Sequence, residues 1–80
     1  MGFYVYVIGT SSPRKKTYVG WTTDIEKRLE KHNKSKGAKS TKGYHWKLLY
    51  KEELLSKVEA MKKEYEIKRN RKLREKLRLL

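Results

Sequence analysis

Phe3-Tyr4-Val5-Tyr6-Val7-Ile8 and Thr17-Tyr18-Val19-Gly20-Trp21 decide the fold of this chain. Both stretches are aromatic and β-branched, the composition of strands. In the first, Phe3, Val5 and Val7 point to one face and Tyr4, Tyr6 and Ile8 to the other. Between the stretches, Gly9 to Lys16 contains Pro13 and two serines, which is turn chemistry. So short a connection predicts an antiparallel hairpin.

Downstream the period changes. Thr23 with Glu26 reads as a capping box, and Ile25, Leu29 and His32 fall at i, i+4 and i+7, one helical stripe that ends near 33–35. The segment 34–43 carries Lys34, Lys36, Lys39 and Lys42 among glycines and small hydroxyl residues. It has nothing to anchor a core and reads as a mobile loop. A third strand is expected over 46–50, with Trp46, Leu48 and Tyr50 on one face. Ser56 with Glu59 opens a helix over 57–69, and Asn70 is placed to cap a last helix with Leu73, Leu77 and Leu80 in a stripe. The order β-β-α-β-α-α predicts an α+β fold: a small three-stranded antiparallel sheet flanked by helices.

The chain has 80 residues, enough for one domain spanning 1–80 and no second core. It has no cysteine, which excludes a disulfide scaffold and a thiolate zinc site. No stretch reaches the ~18 apolar residues of a membrane span. The N-terminal apolar run lacks the basic flank and cleavage site of a signal peptide, so a cytoplasmic location is expected. Twenty-two basic residues face nine acidic ones, a formal charge of +13. Nucleic acid is the first partner such an excess suggests, because dense Lys and Arg gain from counterion release on phosphates. An anionic membrane surface is second. A solvated Lys- and Glu-rich surface is the bland alternative, but charge pairing does not account for so uneven a ratio.

One position breaks its local rule. On the 57–69 helix, Glu59, Lys62, Lys63 and Glu66 form a polar arc, and Val58, Ala60, Met61, Tyr65 and Ile67 the opposite one. Glu64 falls inside the apolar arc. A carboxylate there needs a cation or a donor; metal ligation is one answer, an i,i+4 pair with Lys68 the other. Arg28 and His32, four apart, share a flank of the first helix. An Arg fork suits phosphate oxygens and His can take a proton, yet surface charge and helix-end packing are their ordinary roles. Tyr6 and Tyr18 can present hydroxyls on one face or simply pack. Gly20 weakens a strand unless something must approach it closely.

In order and spacing, Tyr4-Val5-Tyr6, Tyr18-Val19-Gly20, Arg28, His32 and Glu64 resemble the GIY-YIG nuclease domain, over nearly the whole chain. The Gly37-Ala38-Lys39 and Thr41-Lys42-Gly43 loop and the run from Glu59-Ala60 to Lys68 are similar to its small stand-alone bacterial members. The resemblance implies a metal-dependent endonuclease that hydrolyses phosphodiester bonds in DNA, in repair or recombination. Tyr6, Tyr18, Arg28, His32 and Glu64 would be its catalytic residues, and Glu64 would hold one Mg²⁺ or Mn²⁺. Tyr18 would help deprotonate the attacking water and Arg28 would stabilise the charged transition state. Lys34, Lys36, Lys39, Lys42, Lys68, Arg69 and Arg71 would contact nucleic acid. Tyr4 replaces a frequent Gly, Val5 and Val19 the usual Ile, and Trp21 a Lys whose role would be unfilled or pass to a loop lysine such as Lys36 or Lys39. The alternative is a non-catalytic module that binds DNA or RNA on a nuclease fold.

Overall fold

The computed structural model describes residues 2–10, 16–34 and 45–78. Its elements are β1 (Phe3–Gly9), β2 (Thr17–Thr22), α1 (Ile25–Asn33), β3 (Lys47–Leu54), α2 (Lys57–Arg69) and α3 (Arg71–Arg78). The order is the one the sequence predicts. Both β2 and β3 pair antiparallel with β1, giving the sheet order β2-β1-β3.

Alternation along β1 divides the core in two. Val5 and Val7 join Val19, Ile67 and Leu77 on the face covered by α2 and α3. Tyr6 and Ile8 join Trp46 on the other face, where Tyr18 and the α1 residues Ile25 and Leu29 pack against them. Val5, Val7 and Ile8 are fully buried, each contributing about 1.5–3 kcal/mol of transfer free energy. The sheet is thus a septum, and the period-2 pattern of β1 assigns each side chain to a layer.

Three expectations are corrected, two of them about boundaries. The cap of α1 is Asp24, not Thr23: its carboxylate accepts from the Lys27 N–H, and the Thr22 hydroxyl holds Asp24 in place. The third strand begins at Lys47 and runs on to Leu54. A register shift opposite Val7 and Ile8 breaks its alternation, so Leu49 and Tyr50 both pack on the α2/α3 side while Trp46, ahead of the strand, fills the α1 side. Period-2 reading fails across such a bulge.

The third correction concerns α2. Ser56 caps it as expected, accepting from the Glu59 N–H, while Glu59 reaches back to the Leu55 N–H. Its buried stripe, however, is Ala60 and Ile67, with Glu64 between them at i+4 and only 22% exposed. Val58, Met61 and Tyr65 lie 61%, 49% and 62% exposed. The helix turns its smallest apolar residue to the sheet, so that it can approach closely. Asn70 caps α3 through the Leu73 N–H, and Leu73 and Leu77 pack into the core. Leu80 and the loop lysines Lys36, Lys39 and Lys42 lie outside the described residues. Among the described residues no helix is long and apolar enough to cross a membrane.

Candidate active site

The hairpin builds the floor of the site. Tyr6 pairs with Gly20 across the β1–β2 ladder, and Ile8 with Tyr18. Tyr6, Tyr18 and Gly20 therefore share the α1 face. A Cβ on Gly20 would lie 2.6 Å from Tyr6 Oη and 2.8 Å from its Cζ. Glycine stands here because the phenol ring occupies the space a side chain would need.

Helix α1 supplies the wall. His32 is fully buried, and its Nε2 and the Tyr6 hydroxyl are hydrogen-bonded at 2.9 Å, the donor being set by the imidazole tautomer. Its ring lies 4.9 Å from that of Tyr18 and 5.9 Å from that of Tyr6, centre to centre. The end of α1 is fixed separately. Asn33 accepts from the Trp46 N–H at 2.5 Å and donates its amide to the Trp46 carbonyl at 3.0 Å. Trp46 in turn stands edge-on to Tyr18. Nothing in the sequence marked this bracket, because its partners are thirteen residues apart and neither belongs to a motif.

Charge then converges on the Tyr6 hydroxyl. Burial, first of all, pushes its pKa well above that of an ordinary phenol; Tyr18 and the Glu64 carboxylate add to this and Arg28 opposes it. His32 is held below its usual range by burial and then by the Arg28 cation. At neutral pH Tyr6 is thus a protonated phenol and His32 a neutral imidazole. Arg28 is half-buried, in a cleft it shares with Thr22, Thr23, Asp24, Lys27 and Lys31. Lys27 and Lys31 extend the cationic wall. Lys31, three residues after Arg28 and four after Lys27, carries the signal of that wall in the sequence.

The structure therefore brings Tyr6, Tyr18, Arg28, His32 and Glu64 into one neighbourhood from four elements. The expected nucleic-acid contacts that fall among the described residues are dispersed. Lys34 pairs with Glu30, Arg69 lies over the Tyr65 ring, and Arg71 lines a cleft with Thr17 and Arg74. Lys68 is drawn to Glu64, its Nζ donating to Oε1 at 2.9 Å. The position after Gly20 faces the other layer: Trp21 packs near Phe3, and Lys57 Nζ lies 5.5 Å above its ring. Among the described residues, a cation from α2 therefore stands beside that position; Lys36 and Lys39 lie outside the described residues.

Among the described residues no three His, Cys, Asp or Glu side chains form a metal cluster. That excludes a closed, protein-saturated centre among them. What remains is one half-buried carboxylate whose charge reaches a neighbouring phenol. Such an oxygen-only, single-carboxylate site fits a small hard cation that keeps most of its waters.

Residues 2–77 match the GIY-YIG catalytic domain, and the chain belongs to that family. Its domains are nuclease domains, so nucleic acid is the substrate class implied, and they generally employ a divalent metal. Among the relatives, a UPF0213 protein of Staphylococcus haemolyticus is 46% identical over 66 residues, 81% of this chain and 78% of that protein. One of Staphylococcus aureus is 43% identical over 77 residues, 89% of each chain. The solution NMR structure of a UPF0213 protein from Bacillus halodurans superposes with a TM-score of 0.52 at 39% identity, covering 96% of this chain and 82% of that one. The names of these relatives state no activity.

Proposed function

We propose that this chain is a divalent-metal-dependent endonuclease acting on DNA, in one domain over residues 1–80. One arrangement carries the reading: the buried Tyr6–His32 hydrogen bond holds Arg28's helix against the hairpin that bears Tyr18, and the half-buried Glu64 carboxylate lies near enough for its charge, like that of Arg28, to reach the Tyr6 hydroxyl. A cation and a carboxylate set against one phenol pair, beside an edge strand, are what phosphodiester hydrolysis needs. That reaction depends on charge neutralisation and an oriented water more than on a covalent nucleophile.

The residues divide the work by burial. Tyr6 and His32, both buried and bonded to each other, are positioning residues that hold Arg28's helix against the hairpin. Tyr18 is half-buried and is the phenol a substrate can reach, so orienting and deprotonating the attacking water falls to it. Arg28 offers its fork to the phosphate as negative charge builds. Glu64 would hold one Mg²⁺ or Mn²⁺, which when bound supplies Lewis-acid polarisation of the phosphate. Lys34, Lys36, Lys39, Lys42, Lys68, Arg69 and Arg71 add sequence-independent affinity for the strand.

The Glu64–Lys68 pair favours a second reading, a nuclease fold that binds without cutting, since a lysine already occupies the carboxylate. One experiment separates the two. Wild type and Glu64→Gln are incubated with labelled duplex, single-stranded and branched DNA and Mn²⁺. Cutting by the wild type alone, with equal DNA binding by both, is the expected result. Equal cutting by both proteins, or none by either, overturns the catalytic assignment.

A further inference from the structure

Helix α3 carries a guanidinium that the site above does not use. Arg74 is half-buried, and its Nε is shielded from solvent with no hydrogen-bond acceptor among the described residues. Buried donors are nearly always satisfied, and an exception calls for an explanation. The aliphatic stem of an Arg can bury itself for packing alone, but that places no requirement on Nε.

The surroundings supply the explanation. Arg74 lines a cleft of about 230 Å³ with Thr17, Arg71 and Glu75. That is several times the ~30 Å³ of a water molecule. Arg71 and Arg74 are three apart, so both guanidinium groups reach the same side of α3. Across the cleft stands Thr17, whose hydroxyl can donate. Glu75 is exposed at the rim and forms no ion pair with either arginine among the described residues. Two planar forks and a hydroxyl around a space of this size are the donor set of a tetrahedral oxyanion.

The location identifies the anion. Thr17 immediately precedes Tyr18 on β2, and consecutive strand residues project to opposite faces. Because β2 is an outer strand of the sheet, a chain of phosphates crossing its edge meets Tyr18 on one side and the Thr17 cleft on the other. We propose that the cleft of Thr17, Arg71 and Arg74 seats a second backbone phosphate of the same nucleic acid whose scissile phosphate faces Tyr18. This rests on the nuclease reading of the Tyr18 face. It makes α3 part of the substrate track and assigns Arg74 the central contact.

The test keeps binding apart from cutting. Wild-type protein in EDTA is titrated with a short DNA duplex and, separately, with inorganic phosphate, while the Arg74 Nε–H resonance is followed by NMR. Affinity and its salt dependence are measured by fluorescence anisotropy for wild type, Arg74→Gln, Arg74→Lys and, as a remote exposed control, Lys62→Gln. The duplex should shift the Arg74 resonance. Arg74→Gln should weaken binding about tenfold and reduce the salt slope by about one phosphate. Arg74→Lys, which keeps the charge without the fork, should keep the slope and lose part of the affinity. A resonance unmoved by duplex, or Arg74→Gln binding as Lys62→Gln does, overturns the proposal. Inorganic phosphate shifting the resonance as strongly as duplex at equal concentration overturns the assignment to a strand phosphate. If Arg74→Gln fails to fold, the wild-type titrations decide. Cleavage measured in parallel with Mn²⁺ separates the two readings: cutting without any Arg74 effect removes only this cleft, and an Arg74 effect without cutting removes only the nuclease chemistry.

Discussion

Gly20→Ala is the sharpest perturbation the site allows. The new methyl would stand 2.6 Å from Tyr6 Oη, 2.8 Å from Tyr6 Cζ and 3.2 Å from Tyr18 Cε1, where ordinary contact begins at 3.4 Å. Gly20 lies in a strand and carries no left-handed φ, so the cost is steric rather than conformational. Tyr6 is buried and its hydroxyl is bonded to His32, which leaves the ring little room to retreat. Overpacking of this kind costs about 1–3 kcal/mol, out of the ~4–12 kcal/mol an 80-residue domain holds. For a domain of this size each kcal/mol lowers Tm by roughly 4–8 °C. The assay is urea denaturation of wild type, Gly20→Ala, Tyr6→Phe and the double variant. Tyr6→Phe alone should cost about 1–2 kcal/mol, because it removes a hydroxyl bonded to a fully buried imidazole. In the double variant the closest contact is gone, so the two losses should fall short of adding by about 1 kcal/mol. A Gly20→Ala loss below about 0.5 kcal/mol would refute the claim that Gly20 exists to admit Tyr6, and strict additivity would refute the part of it assigned to the hydroxyl, since Tyr6→Phe keeps Cζ.

Three further outcomes are expected. His32 is held neutral when folded, its pKa lowered by burial and by Arg28; the unfolded chain therefore binds a proton more readily, and the stability this represents is intact above about pH 6.5 and lost as pH falls through that value towards the folded pKa, with a slope of at most ~1.4 kcal/mol per unit. Urea titrations from pH 7.5 to 4.5 should show this slope flattening in His32→Gln, and an identical slope in both proteins would contradict it. Arg28→Gln removes the cation that depresses His32, so the His32 pKa followed by NMR should rise as cutting is lost; an unmoved pKa would show that Arg28 does not face the imidazole. Lys68→Gln frees Glu64 from its pair, at a stability cost of a few tenths of a kcal/mol, and should tighten Mn²⁺ binding several-fold by paramagnetic line broadening; weaker binding would mean that Lys68 supports the ion instead of competing with it.

The fold was legible wherever a local period survived folding. The alternation of β1 predicted both layers, and the Ser56 and Asn70 caps located the starts of α2 and α3. Legibility failed where tertiary packing overrode period: at the β3 bulge, which turned Leu49 and Tyr50 the same way, and on α2, whose largest apolar residues face outward. The Glu64 anomaly is borne by part of the arc the sequence predicts: Ala60 and Ile67 share its buried stripe, while Val58, Met61 and Tyr65 turn outward. The Tyr6–His32 bond and the Asn33–Trp46 bracket were beyond sequence reading, because they join residues related only by the closure of α1 onto the sheet.

The outer edge of the hairpin has a consequence for solution behaviour. Thr17-Tyr18-Val19-Gly20-Trp21-Thr22 contains no charge and no proline, although strands in this position are usually guarded by one or the other. Among the described residues, nothing pairs with its free side. Mutual repulsion between highly cationic molecules opposes the pairing of two copies there. That protection is collective and can be screened: salt weakens it, and a polyanion bound at matching charge removes it. Colloidal stability should therefore be lowest near charge equivalence with nucleic acid and recover when either component is in excess.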